Sequence, residues 1–272
     1  MTSELLWSAV LGAVQGMTEF LPVSSSGHLL LAQRLLGLEE ARFGLAFDAA
    51  LHLGTALAVL VYFWRDLTRL AIALFVSLGD FDPADPDRRM VWLLVVASVP
   101  AAVVGLAFED FFSTSVRSPW IVVVALVAVG VLFLVGEAVG GKRKVASSLS
   151  LPQALSIGLA QAAALIPGVS RSGATITLGL FLGLRREEAA RFSFLMSFPI
   201  TVGAGGFSLL EAIGGGMGGD EALLFGVGLL SAAVVGYAAI RFLVSFLSDH
   251  SLGVFAFYRF ALAGGVAAAL AG

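Results

Sequence analysis

The sequence predicts an all-α polytopic membrane protein of six transmembrane helices plus two re-entrant helical hairpins in an inverted-topology repeat. Three observations carry that expectation: an apolar composition, six apolar runs long enough to cross a bilayer, and two polar motifs that interrupt apolar helices at matching places in the two halves. Of 272 residues, 58% are hydrophobic and 13% charged, and the mean hydropathy is positive, the profile of a helical membrane protein. The net charge of -3 comes with no basic stripe, which excludes tracking of nucleic acid. With no cysteine there are neither disulfides nor thiolate metal sites. The start, Met-Thr-Ser-Glu4-Leu-Leu-Trp7, lacks a positive n-region and a small-residue cleavage site, so it reads as part of the mature protein.

A span needs about 20 apolar residues, each rising about 1.5 Å. Six runs qualify: residues 46–64 (open to extension as far as 78), 89–108, 119–139, 189–212, 222–247 and 253–271. Residues 4–37 and 151–184 differ, because Pro, Gly and Ser interrupt each apolar helix at its centre. Non-helical backbone survives inside a membrane only where protein or a water-filled cavity satisfies it, so each reads as a re-entrant hairpin. At an offset of 146 residues Gly12 falls on Gly158, Gln15 on Gln161 and Gly27 on Gly173, while Pro22 and Pro167 miss by one position and call for a one-residue indel. Two repeats follow, residues 1–141 and 151–272, each with one hairpin and three spans. Three is odd, so the second enters the membrane from the opposite side.

Charge sets the expected orientation. Arg65, Arg69, Arg88 and Arg89, then Lys142, Arg143 and Lys144, then Arg185 and Arg186 fall on one face of the alternating spans, which the positive-inside rule makes cytoplasmic. The opposite connections are poor in cations, with Arg117 alone in residues 109–118 and none in 214–221. Both termini and the first hairpin are then periplasmic. Eight ordinary spans would place the three basic clusters on the same face, so charge does not separate the two topologies.

The chemistry lies in the two interruptions. Gln15 and Glu19 share a helix face; the carboxylate can bind a divalent cation or take a proton, whereas the amide only hydrogen bonds. The plainer alternative for Glu19 is a structural ion pair. Ser24, Ser25, Ser26, Gly27 and His28 follow Pro22 and open an apolar helix. The serines suit an N-cap, and the same helix start offers N–H groups and positive potential to an anion. Ser24 or Ser25 is a candidate nucleophile, with His28 one turn beyond as general acid or base. In the second half Ser170, Arg171, Ser172 and Gly173 put a phosphate-matching guanidinium at a helix start. Its plainer role is a salt bridge to Glu19 or a bond to a carbonyl. Gly168 and Gly173 free the backbone for an anion nest, and if both half-helices point their N-termini at the midplane, one phosphate is gripped from both sides. His52, four residues after Asp48, reads as packing ahead of the alternative, a pair with Asp48 that supports the site; His250 beside Asp249 reads as solvated, and Gly203, Gly205 and Gly206 as close helix contacts. No H-E-x-x-H or P-loop pattern is present, so a zinc protease and a Walker NTPase are unsupported.

Gln15, Glu19 and Pro22-Val-Ser-Ser-Ser-Gly-His28, with Pro167-Gly-Val-Ser-Arg171-Ser-Gly-Ala-Thr175, resemble the two signatures of the bacterial undecaprenyl-diphosphate phosphatases, the bacitracin resistance protein family. The likeness covers essentially the whole chain, including Phe47-Asp48 and Phe192-Ser-Phe-Leu. It implies removal of the terminal phosphate of undecaprenyl diphosphate, giving undecaprenyl phosphate and inorganic phosphate. That would recycle the lipid carrier of peptidoglycan synthesis and confer bacitracin resistance. It further implies a divalent cation, Mg2+ or Ca2+, and a site reached from the periplasmic side of the bacterial inner membrane. The expected partners are the polyprenyl diphosphate and membrane lipid, with a homodimer left open. The resemblance makes Glu19, Ser25, His28 and Arg171 catalytic, with Glu19 the metal ligand, and Gln15, Ser24, Ser26, Gly168, Ser170, Ser172, Gly173 and Thr175 substrate-binding. Many relatives have glutamate where this chain has Gln15, so a two-carboxylate metal clamp is in doubt. Attack by Ser25 would give a phosphoserine, and attack by water activated by His28 or Glu19 would not. The rival reading is a transporter or flippase of polyprenyl phosphate lipids, which broken helices and an inverted repeat also suit.

Overall fold

The computed structural model describes all residues except 1, 109, 110, 113–115, 117 and 272; Arg117, expected to be alone in its connection, lies outside the described residues. The chain runs α1 Thr2–Phe20, α2 Ser25–Leu35, α3 Glu40–Phe43, α4 Leu45–Tyr62, α5 Trp64–Ser77, α6 Pro86–Ala107, α7 Pro119–Val139, α8 Leu151–Ala163, α9 Arg171–Phe181, α10 Arg186–Gly214, α11 Gly219–Asp249 and α12 Gly253–Ala271. Among the described residues there is no strand. The six helices α4, α6, α7, α10, α11 and α12 are long and apolar enough to cross a membrane, so the protein is a multi-pass membrane protein.

The span starting near residue 46 does not extend to 78. Helix α4 stops at Tyr62, and α5 starts at Trp64 with Arg65, Asp66 and Arg69 in its first turns. Those charges are too costly for hydrocarbon, so the helix breaks where they begin. Helices α10 and α11 overrun their predicted spans because their polar ends, Arg186-Glu187-Glu188 and Asp220-Glu221, remain helical. An apolar run marks the part of a helix in lipid, not the whole helix.

Both interruptions are real, and they use one device. Ser24, the N-cap of α2, has φ 77° and its hydroxyl accepts from Gly27 N at 3.3 Å. Ser170, the N-cap of α9, has φ 73° and accepts from Gly173 N at 3.2 Å. A positive φ is strained for serine, and the cap bond together with the neighbours described below holds it there. Gly168 has φ +97°, and a Cβ on it would stand 2.8 Å from Val122 Cα, so the second break closes against α7 only with glycine. Helix α1, at 19 residues, is longer than a half-helix, whereas α2, α8 and α9 have 11, 13 and 11 residues.

Helix α1 lies along α11, which also packs on α4; α8 lies along α6, α10 packs on α4, α6 and α9, and α7 on α12 and α9. Glycine permits these approaches. A Cβ on Gly16 would stand 2.5 Å from Ala232 O, and one on Gly158 would stand 2.9 Å from Pro100 Cδ. Of the three glycines expected to pack, Gly205 meets Leu53, but Gly203 and Gly206 face open space. Phe20 packs edge-on to Phe194 with centroids 5.2 Å apart, and both are buried beneath the first break. His250 is exposed, as expected, and stacks on Phe246.

The basic clusters meet at one end of the molecule. Glu137 holds Arg186 at 2.6 Å and Lys142 at 3.2 Å, Arg89 donates to Leu149 O at 2.8 Å, and Glu188 accepts from Ala146 N at 2.9 Å. At the same end Asp85 caps α6, and the backbone N–H groups of Arg88 and Asp87 hold its carboxyl below the ordinary carboxylate range.

Gly16→Val should force α1 and α11 apart and cost about 1–3 kcal/mol, read as a lowered thermal midpoint in detergent; Gly203→Val, facing open space, should leave the midpoint close to the parent value.

Candidate active site

Glu19, in the last turn of α1, is where four helices meet. Its carboxylate is 5% exposed. One oxygen, Oε1, takes Nη2 of Arg171 from the start of α9. The other, Oε2, accepts from Ser25 Oγ of α2 at 2.5 Å and from Gln15 Nε2 at 3.1 Å. Nε2 of His52, on α4, stands 3.7 Å from the same oxygen. The sequence motif from each half therefore supplies one side of a single ion pair. The plainer role foreseen for Arg171, a bridge to Glu19, is the observed contact, and α10 completes it: Arg171 Nη1 donates to Thr201 Oγ1 at 2.7 Å and to Ser197 O at 3.4 Å.

The three serines of the first motif separate by environment. Ser24 is buried, and its hydroxyl accepts from Gly27 N and, at 3.1 Å, from Gly168 N across the interface between the two breaks. It therefore joins the breaks. The N–H of Gly168, expected in an anion nest, is committed to that bond. Ser25 is half-buried and its hydroxyl points at the carboxylate. Ser26 is exposed and reaches only Ser24 Oγ, at 3.5 Å. In the second motif Ser172 Oγ lies 3.3 Å from Ser170 Oγ and 3.4 Å from Leu21 O. Thr175 turns to α10, bonding Ser193 Oγ at 2.6 Å and Arg171 O at 2.8 Å, and Gly173 N caps onto Ser170. His28 does not bond a serine hydroxyl; its Nδ1 lies 2.7 Å from Ser24 O and its Nε2 2.8 Å from the hydroxyl of Tyr258.

Sequence reasoning missed three groups. His52 was read as packing, yet its Nδ1 bonds the Asp48 carbonyl at 2.8 Å and that bond aims Nε2 at Glu19. Tyr258 gave no local signal. Arg259 did: it is the one charged residue in an apolar run of 19, and an intramembrane cation marks a site by default. It is fully buried. Its guanidinium donates to Pro22 O of the first break at 3.2 Å, to Gly168 O and Val169 O of the second at 2.7 and 3.3 Å, and to Ala125 O and Leu126 O of α7 at 3.1 Å each. Its Cζ lies 5.3 Å from the Phe133 ring centre.

The oxygen donors near Glu19 suit a hard divalent cation. Gln15 Oε1 is buried without a partner beside a carboxylate, and an amide oxygen is a normal ligand for such an ion. Among the described residues no cluster of three or more His, Cys, Asp or Glu is present. Among the described residues the candidate ligands here are one carboxylate and one amide oxygen, fewer than the roughly six oxygens such an ion takes.

The sequence matches the family model described as bacitracin resistance protein BacA over residues 8–265. The chain belongs to that family. It is 62% identical over 268 residues to an undecaprenyl-diphosphatase of Rubrobacter xylanophilus, covering 98% of both chains. Identity is 46% to one from Desulforudis audaxviator, over 92% of each chain, and 44% to one from Pelobacter propionicus, over 96% of each. This member of the bacitracin resistance family therefore matches its relatives over most of their length, and both breaks and all the groups around Glu19 lie within the residues that the family model matches.

Arg259→Met should leave the three break carbonyls, Pro22 O, Gly168 O and Val169 O, short of a donor, while Ala125 O and Leu126 O keep their bonds within α7. At about 1–3 kcal/mol for a buried unsatisfied group, several kcal/mol of stability should be lost, and thermal unfolding in detergent should show it; an unchanged midpoint would mean the breaks hold without the guanidinium.

Proposed function

We propose that the protein hydrolyses undecaprenyl diphosphate to undecaprenyl phosphate and inorganic phosphate, with Ser25 as nucleophile and Glu19 as its base. The observation that carries this reading is the pair of bonds on one carboxylate: Ser25 Oγ on Oε2 and Arg171 on Oε1. Glu19 takes the hydroxyl proton as Ser25 Oγ attacks the terminal phosphorus, and the bridging P–O bond breaks to release undecaprenyl phosphate. Glu19 passes that proton to the departing undecaprenyl phosphate; water then attacks the phosphoserine, and the carboxylate takes the water's proton and returns it to Ser25 Oγ as the Oγ–P bond breaks, giving serine and inorganic phosphate. Phosphoryl transfer asks a protein mainly for positioning and charge stabilisation, and Arg171 supplies the charge as a fork suited to phosphate oxygens. A protonated Glu19 no longer binds the guanidinium as an ion, so the proton transfer that activates Ser25 also frees Arg171 for the phosphoryl group. A divalent cation would neutralise diphosphate charge, with Gln15 Oε1 and, while it is ionised, Glu19 holding it.

The space beside Arg171, among Phe20, Thr55, Val59, Phe198 and Thr201, holds no water-sized void. Substrate must therefore displace part of the Arg171 pairing to enter. The chain-long relatives are named for hydrolysis, which favours this reading over transport.

The same proposal includes the inverted repeat of residues 1–141 and 151–272. It is supported by equal cap geometry at Ser24 and Ser170, 146 residues apart, and by exchanged packing, α1 on α11 and α8 on α6. At that offset Arg171 occupies the place of Ser25 and Leu165 that of Glu19, so one half keeps the acid and nucleophile and the other supplies the cation. Helices α2 and α9, 11 residues each, reach only about 17 Å and are too short to span, as re-entrant arms should be. The gathered basic clusters support a cytoplasmic face at that end and a site opening to the periplasm across the bacterial inner membrane.

Purified protein with undecaprenyl diphosphate and Mg2+ should release inorganic phosphate. Ser25→Ala and Arg171→Ala should each lower kcat by about 10²- to 10³-fold; full turnover in both would remove the site. Chelation should abolish release, and Gln15→Glu should lower the Mg2+ concentration for half-maximal rate on the order of tenfold by adding a charged ligand.

A further inference from the structure

Every hydrogen-bonding position of His28 is taken, and none faces the nucleophile. Ser24 O, 2.7 Å from Nδ1, can only accept, so Nδ1 carries a hydrogen. In the neutral ring Nε2 is then bare, and the Tyr258 hydroxyl, 2.8 Å away, donates to it. The two rings stack with centroids 5.8 Å apart and planes 9° from parallel. Tyr258 is 47% exposed, too open for its ring to serve the core. What it contributes is the hydroxyl and the stack, both directed at a residue in the first turn of α2.

We propose that Tyr258 is a positioning residue for phosphoryl transfer. Its hydroxyl holds the His28 ring, whose Nδ1–H is set by Ser24 O, against α12 and so fixes the first turn of α2, which begins at Ser25, in the register where the Ser25 hydroxyl meets Glu19. The proposal rests on the reading of Ser25 as nucleophile. It assigns His28 a role other than base for that serine, since Oγ bonds Glu19 instead. Tyr258 also adjoins Arg259, which anchors both breaks, so one turn of α12 sets the backbone of the breaks through one residue and the orientation of α2 through the next. The ionisable groups that act on His28 are Tyr258 and Arg259, both from α12. Helix α7 carries only Glu137, near its far end.

Tyr258→Phe removes the hydroxyl and keeps the ring. In the full-length protein kcat should fall about three- to tenfold, the span expected from one hydrogen bond, with KM for undecaprenyl diphosphate unchanged and the pH profile of kcat displaced. ¹⁵N-histidine spectra, with His28 assigned by its loss in His28→Gln, should show the Nδ1–H tautomer in both proteins, with the Nε2 resonance displaced in Tyr258→Phe by loss of its hydrogen bond. An Nε2–H tautomer in the parent, or parent kinetics and pH profile in Tyr258→Phe, would overturn the proposal. If Ser25→Ala is inactive while Tyr258→Phe behaves as the parent, only this proposal falls. Full activity in Ser25→Ala would instead strike the nucleophile reading, and the catalytic part of this proposal with it.

Discussion

Two stretches of non-helical backbone lie inside an otherwise apolar bundle, and their carbonyls cannot turn to lipid for hydrogen bonds. Arg259 answers that need with one buried guanidinium that donates to Pro22 of the first break, Gly168 and Val169 of the second, and Ala125 and Leu126 of α7. Arginine is suited to this because its planar fork reaches several acceptors at once and keeps its charge in a dry setting. Ser24 adds a second tie, its hydroxyl accepting from the N–H of Gly168. With the breaks fastened together, the helices that start from them, α2 and α9, have fixed origins, and Ser25 and Arg171 stand at those origins.

The functional groups inherit their geometry from that fastening. Ser25 and Arg171 are the first residues of their helices and approach the two oxygens of one carboxylate from different sides. Glu19 is supported in turn by Gln15 and approached by His52, and Arg171 by Thr201 and Ser197. The carboxylate is thus the acceptor on which polar groups from four helices converge. The ion pair keeps both charges compensated; a buried charge without a partner is strongly destabilising.

Much of this was legible in the sequence. The apolar runs gave the six long helices, and Pro22, Gly168 and the serine clusters gave both interruptions, because those residues limit backbone conformation locally. Glu19, Ser25 and Arg171 stood out as polar groups where polar groups are expensive. What could not be read depended on partners distant in the chain. His52 looked like packing because its neighbour in sequence is Asp48, yet its orientation comes from the Asp48 carbonyl and its target lies on α1. Tyr258 meets His28 from 230 residues away. Gly203 and Gly206 were misread because a glycine in a span signals close packing only if a neighbouring helix faces it. The end of α4 at Tyr62 was obscured by apolar residues that continue past Trp64 into the amphipathic α5.

The central claim is that chemistry passes through Ser25 with Glu19 as its base. The direct measurement is to quench the purified protein during turnover of undecaprenyl diphosphate and determine by mass spectrometry whether the peptide spanning residues 24–26 carries phosphate, and on which serine. Phosphate on Ser25, absent from unreacted protein, is the result this account predicts. An unmodified peptide throughout turnover, or phosphate on Ser24 or Ser26, would contradict it.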